Sequence, residues 1–313
     1  MSTVHRRSSR FGLRLTRTVC RNVLLAAFAA IGSVAHAGAI FITGHDPDFH
    51  AQSEAGAQNL LRIGLNYARN GDGTTATNIG ARPVLWIESD PVEDGGIPAG
   101  HRFGLTGLRS IGYLAVGEMG VPTEGYYEFH DADELTAAFW TTVTTANYSA
   151  IGVASTFGGI LRLSELTNLN NHTAAITAFF NSGGGIFAAA EGTEGSLAYV
   201  ATDGFFNWIP ISVPASSTPA PPYSVTAAGS ALGLVDGDVD SASHSYFNSD
   251  GGLDVISRDA AGRIMTLAGV RIIGGGGGGF MGVPEPGALA LLVGALPLLL
   301  LRRRRNAAAP TTH

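Results

Sequence analysis

Lysine is absent from this 313-residue sequence, and cysteine occurs once, as Cys20. All 19 basic residues are therefore arginines, six of them at or before Arg21 and four at Arg302, Arg303, Arg304 and Arg305. Between residues 38 and 282, nine arginines face 24 acidic side chains, so the central body carries about −15. That balance argues against a nucleic-acid partner, because neutralising phosphates needs a basic face. The lone thiol sits in the arginine-rich leader. The body is left without a disulfide, a cysteine-ligated zinc or a cysteine nucleophile. What is plentiful is apolar: 45% of residues are hydrophobic, too many for a disordered chain and enough for one sizeable core.

Both ends read as addresses. Arg6, Arg7, Arg10, Arg14, Arg17 and Arg21 precede an apolar run over 23–34, and Ala35 and Ala37 place small residues where a signal peptidase reads them. Residues 1–37 are thus predicted to be an export signal cut before Gly38. The globular body is expected over 38–273, and the glycines of the linker 274–282 cannot pack a side chain. Val283, Pro284, Glu285 and Pro286 come next, then an apolar stretch over 287–301, the four arginines, and a tail over 306–313. Fifteen apolar residues fall short of the roughly 20 that span a bilayer comfortably, although snorkelling arginines extend the match. The arginines place the tail in the cytoplasm and the body outside it.

The order Pro284-Glu285-Pro286, short apolar helix, Arg302 to Arg305 resembles the PEP-CTERM sorting signal of Gram-negative bacteria over 283–305. The resemblance implies a single membrane helix at 287–301, transient retention in the inner membrane, and processing by an exosortase near the Pro-Glu-Pro element. It also implies release to the cell surface or an exopolysaccharide matrix. The rival expectation is a plain C-terminal membrane anchor.

Within the body, short β-prone runs at 39–43, 84–87, 113–116, 148–154 and 186–190 alternate with helical patterns. Leu60, Leu61, Ile63 and Leu65 mark one helix, and a second is expected to begin at Asp131, Asp133 and Glu134. Helical signal also runs from Ser164 and Glu165 to Phe180. After a Pro-rich stretch, strand character returns at 231–235, 253–256 and 263–270. Near-continuous apolar strands separated by helices predict an α/β fold: three layers around a mostly parallel, doubly wound sheet.

Ligands of such sheets gather at the carboxyl ends of the strands. Directly after the first strand, His45, Asp46, Asp48 and His50 lie within seven residues, a set able to hold a divalent metal, orient a sugar hydroxyl, or cap a helix. Gly158 and Gly159 come after the fourth strand and suit a tight turn or a close backbone approach, without the lysine of a phosphate loop. Asp236, Asp238 and Asp240 alternate as in the first half of a calcium loop, so calcium is the cofactor this spacing offers. Ser241 and Phe247 stand where a full loop needs glycine and glutamate, and an acidic turn is the plainer reading.

The segment from Gly183 through Ala190 and Glu191 to Gly192 resembles the strand-to-elbow region of class I glutamine amidotransferase-like and ThuA-like domains. The resemblance implies a flavodoxin-like sandwich. Those enzymes carry a cysteine in the elbow; here Ala190 and Glu191 stand instead, so covalent acyl transfer has no nucleophile. A late histidine returns to the elbow in such folds, which makes Glu191 and His244 the candidate acid-base pair.

Two functions remain open. One is a non-catalytic surface or matrix module binding a small ligand or carbohydrate. The other is a hydrolase of polysaccharide or peptide using Glu191, His244 and a metal at His45, Asp46 and Asp48.

Overall fold

The computed structural model describes residues 38–71, 73, 82–89, 103–156, 161, 163–189, 206–240 and 243–271. They form a mixed α/β structure around a large sheet. Its six parallel strands are β1 (Gly38–Thr43), β2 (Val84–Ile87), β3 (Tyr113–Ala115), β4 (Gly125–His130), β5 (Ala150–Val153) and β6 (Gly185–Ala189), in the spatial order β3-β4-β2-β5-β6-β1. An antiparallel extension then runs through β11 (Ile264–Arg271) and β10 (Asp254–Arg258) to β8 (Ser224–Val225). The short strands β7 (Ala215–Ser217) and β9 (Ser245–Phe247) branch from β11.

Helix α1 (Pro47–His50) comes directly after β1 and leads into α2 (Ala55–Asn70), the longest helix described. Leu60, Leu61 and Leu65 are fully buried, and such burial contributes about 1.5–3 kcal/mol per side chain. Gly71 ends the helix with a left-handed φ of 84° while its N–H donates to the Tyr67 carbonyl. Inside α2, Gly64 lets the helix settle on the sheet, since a Cβ there would lie 2.7 Å from the Phe187 ring and 2.8 Å from the Phe41 ring. A buried polar network ties α2 to the sheet edge: Asn66 donates to Glu124, and Arg69 donates to the Tyr113 hydroxyl and the Glu124 carbonyl. Burial pushes the Tyr113 hydroxyl up to about 12, with Arg69 opposing.

The remaining helices are α3 (Phe103–Ser110), α4 (Ala137–Trp140), α5 (Leu163–Asn171), α6 (Thr173–Asn181) and α7 (Ala227–Ala231). The structure departs from the sequence pattern at three places. The helix predicted from Asp131 does not start there: the Asp131 carboxylate accepts the N–H groups of Asp133 and Glu134 in a turn, and the four-residue α4 is capped by the Thr136 hydroxyl. Residues 231–235 are not a strand. Thr226 caps α7, and the chain leaves it through Gly233 at φ 89°. Strand β4 forms where the sequence pattern predicts none.

No helix among the described residues is long and apolar enough to cross a membrane. The leader 1–37 with Ala35 and Ala37, the linker, Pro284, Glu285 and Pro286, the apolar stretch 287–301 and Arg302 to Arg305 lie outside the described residues, as do Gly158, Gly159 and Glu191.

Candidate functional site

The loop leaving β1 is pinned by its neighbours. Gly44 donates to the Met265 carbonyl at 2.7 Å and accepts from His244 and Ser245 at 3.1 and 3.3 Å. A Cβ on Gly44 would overlap the Ser245 carbonyl, so only glycine permits this approach. His45 forms an isolated antiparallel bridge with Ser243, is fully buried, and meets the Tyr223 ring edge-on at 5.1 Å.

The carboxylate of Asp46 stands between two imidazoles. The residue is 1% exposed, and its Oδ2 has His50 Nε2 at 3.6 Å and His244 Nε2 at 3.8 Å, while those imidazoles are about one-fifth exposed. Both separations exceed a hydrogen bond. His50 Nδ1 is 2.7 Å from Glu54 Oε1 and the Phe49 ring stands edge-on to the imidazole, which together fix its orientation. The helix-capping reading of Asp46 fails at the side chain: Asp46 is the N-cap of α1, but its carboxylate makes no capping hydrogen bond.

Asp48 does different work. It is fully buried, and its Oδ2 accepts from the backbone N–H of Ser155 at 2.8 Å and from the Ser155 hydroxyl at 3.1 Å, joining α1 to the chain just after β5. Burial pushes this carboxyl above the ordinary aspartate range, with the two Ser155 bonds opposing. Ser155 is itself fully buried. Gly107 of α3 allows the close pass of the Asp48 carbonyl, which a Cβ would overlap.

Of the residues singled out in the sequence, His45, Asp46, His50 and His244 are therefore neighbours, and Asp48 faces inward beneath them. His244 lies 3.8 Å from Asp46, brought there because β11 pairs with β1 and β9 pairs with β11, while its expected partner Glu191 lies outside the described residues. Glu54 and Tyr223 join the site without having been expected there, and Ser155 joins it from the candidate loop that also holds Gly158 and Gly159. Glu54 carried a signal, standing four residues after His50 at helical spacing.

The aspartates of 236–240 diverge. Asp236 accepts from the Val225 N–H, Asp238 accepts from Val235 N and from Asn59 Nδ2, and Asp240 is exposed. These bonds make the segment a turn around the 3-10 helix Asp236–Asp238. Among the described residues, no group of three or more His, Cys, Asp or Glu is arranged to hold a metal ion.

No family model matches this sequence, and neither a curated protein nor a solved structure matches it.

Proposed function

We propose that this chain is an exported surface or matrix protein whose body is a non-catalytic, ligand-binding α/β module. The observation that carries the reading is the Asp46 carboxylate, held at 1% exposure between two partly exposed imidazoles at 3.6 and 3.8 Å. The partly exposed imidazoles of His50 and His244 can hydrogen-bond ligand hydroxyls, and the Phe49 ring supplies an apolar neighbour, so the ligand class is a carbohydrate or another small polyol. Covalent acyl transfer finds no support, because the hydroxyl of Ser155 is buried against Asp48 and the body holds no thiol.

The finer fold in this reading is a three-layer, doubly wound sheet whose order, with β1 at the end of the parallel set, differs from the flavodoxin-like 2-1-3-4-5. Support comes from the strands, which bury both faces: Phe41 and Trp86 join the cluster around α2, while Ile40, Ile42, Leu85 and Ile87 are buried on the opposite side. In the same proposal the leader exports the chain. The Pro284-Glu285-Pro286, apolar and arginine segments then retain it in the inner membrane until an exosortase releases it, a reading supported by the order of those elements.

The ligand test uses the full-length chain with neutral oligosaccharides and the variants Asp46→Asn and His244→Ala. Expected are saturable binding by the native chain, its loss in both variants, and unchanged melting temperatures. Release of reducing ends would instead establish a hydrolase. For export, cells expressing the chain with and without residues 283–313 are fractionated, and recovery of both forms from the same soluble compartment refutes the sorting reading.

A further inference from the structure

A second site lies across the sheet, with β2, β5 and β6 between it and β1. A cavity of about 580 Å³ opens where β4, the β3–β4 connection and the turn entering β5 meet, a volume suited to a small organic ligand. Tyr126 and Glu128 stand two apart on one face of β4 and line it, with Glu118 and Val116 from the connection and Tyr148 from the turn.

The two carboxylates are each half engaged. Glu128 Oε1 accepts from the Tyr148 hydroxyl at 2.9 Å and lies 2.9 Å from His130 Nε2. Glu118 Oε2 accepts from the Ala115 N–H at 3.1 Å and from Arg109 at 3.2 Å. The other oxygen of each, Glu128 Oε2 and Glu118 Oε1, accepts no hydrogen bond among the described residues. Fixed donors on one side leave the second oxygen of each carboxylate for a cation. The sequence contains no lysine, and the cation already on Glu118 is Arg109, paired through Oε2 at 3.2 Å.

An independent observation concerns the rim. Among the described residues five large apolar side chains are left in water, and three of them, Val116, Met119 and Val121, belong to this one connection. Met119 is 96% exposed and Val121 90%, while the Gly120 carbonyl between them accepts from the Tyr126 hydroxyl at 3.3 Å, tying the connection over the cavity wall. Apolar surface concentrated beside a charged cleft marks a place where an amphipathic partner gains on both counts.

The geometry points to this cavity as a binding site for an amphipathic organic cation. Such an alkyl- or arylammonium places its head between Glu118 and Glu128 and its apolar body along Tyr126 and Val116. The site is separate from the Asp46 loop and does not depend on it.

The test titrates the full-length chain with hexylammonium, and in parallel with hexanol, which has the same apolar body and no charge. Hexylammonium is expected to saturate, with hexanol about tenfold weaker. Glu118→Gln and Glu128→Gln should each weaken hexylammonium about fivefold. Glu128 also holds Tyr148, so Val116→Arg, at a position 54% exposed, guards against misfolding: its guanidinium pairs with the lining carboxylates in place of the ligand and should abolish binding. Asp46→Asn should leave hexylammonium binding unchanged, which keeps this result distinct from that of the carbohydrate test. Equal affinity for hexanol, a response that rises without saturating, or full binding by Val116→Arg would each overturn the assignment, the last two by revealing only diffuse attraction to an acidic body.

Discussion

Replacing Asp48 by asparagine should change the pH dependence of stability more than stability at any one pH. The side chain is fully buried, and burial raises its pKa against the opposing bonds from Ser155 at 2.8 and 3.1 Å. A raised value means that the folded chain keeps a proton that the unfolded chain releases above about pH 3.9. The favourable contribution of Asp48 is therefore complete below the unfolded pKa and is lost as pH rises towards the folded one. Within that window a single group changes stability by at most about 1.4 kcal/mol per pH unit. Asparagine does not titrate, yet its carboxamide oxygen can accept from both Ser155 donors. Whatever it costs to seat the amide NH2 is the same at every pH and drops out of the comparison. Urea unfolding of both proteins in steps from about pH 4 to 8 reads the effect, with the m-value as a check on two-state behaviour. The stability difference should move steadily in favour of Asp48→Asn as pH rises and then level off. Parallel curves, or a shift in the opposite direction, would refute the argument that burial dominates this carboxyl.

Other substitutions probe the frame around the sites. Asp259 is the reverse case: burial opposes its ionisation, but the N–H groups of Ala220 and Arg263 and the Arg263 guanidinium hold its carboxyl below the usual range. Its stabilisation is present above the unfolded pKa and lost as pH falls through the folded one, so Asp259→Asn should cost about 1–3 kcal/mol near neutrality, with the difference shrinking in acid denaturation curves. Gly64→Ala gains up to about 1 kcal/mol of helix propensity but must push apart the buried rings of Phe41 and Phe187, a strain of about 1–3 kcal/mol, so urea midpoints should fall or stay level. Gly185→Ala is expected to be worse than Gly64→Ala by the same measure, because its Cβ would overlap the backbone carbonyl of Ala68, which cannot rotate away.

The parallel strands were legible because their runs are apolar on both faces: the residues of β2 and β5 are buried without exception. Strand β4 was not, since Glu128 and His130 interrupt Gly125-Tyr-Tyr-Glu-Phe-His on the face that lines the cavity, and the run reads as a polar connection. The stretch 231–235 misled for the opposite reason. Its Leu and Val spacing imitates a strand, while the decisive features are local: the Thr226 cap and the left-handed Gly233. At the site, crowding of His45, Asp46, Asp48 and His50 was visible in a single loop. The arrival of His244 was not, because it depends on the pairing of β1 with β11, more than two hundred residues away in sequence.

That pairing also sets a timetable for synthesis. β1 gains β6 as a neighbour once residue 189 exists, but its other edge waits for β11, where Gly38 aligns with Arg271 and the Thr43 hydroxyl meets that of Thr266 at 2.9 Å. Residues 190–271 must be made first, and at about 5–20 residues per second those 82 residues take roughly 4–16 s. For that interval a mostly apolar strand offers unpaired amides to any passing chain, so the nascent protein is most in need of a chaperone after most of its parallel sheet has been synthesised.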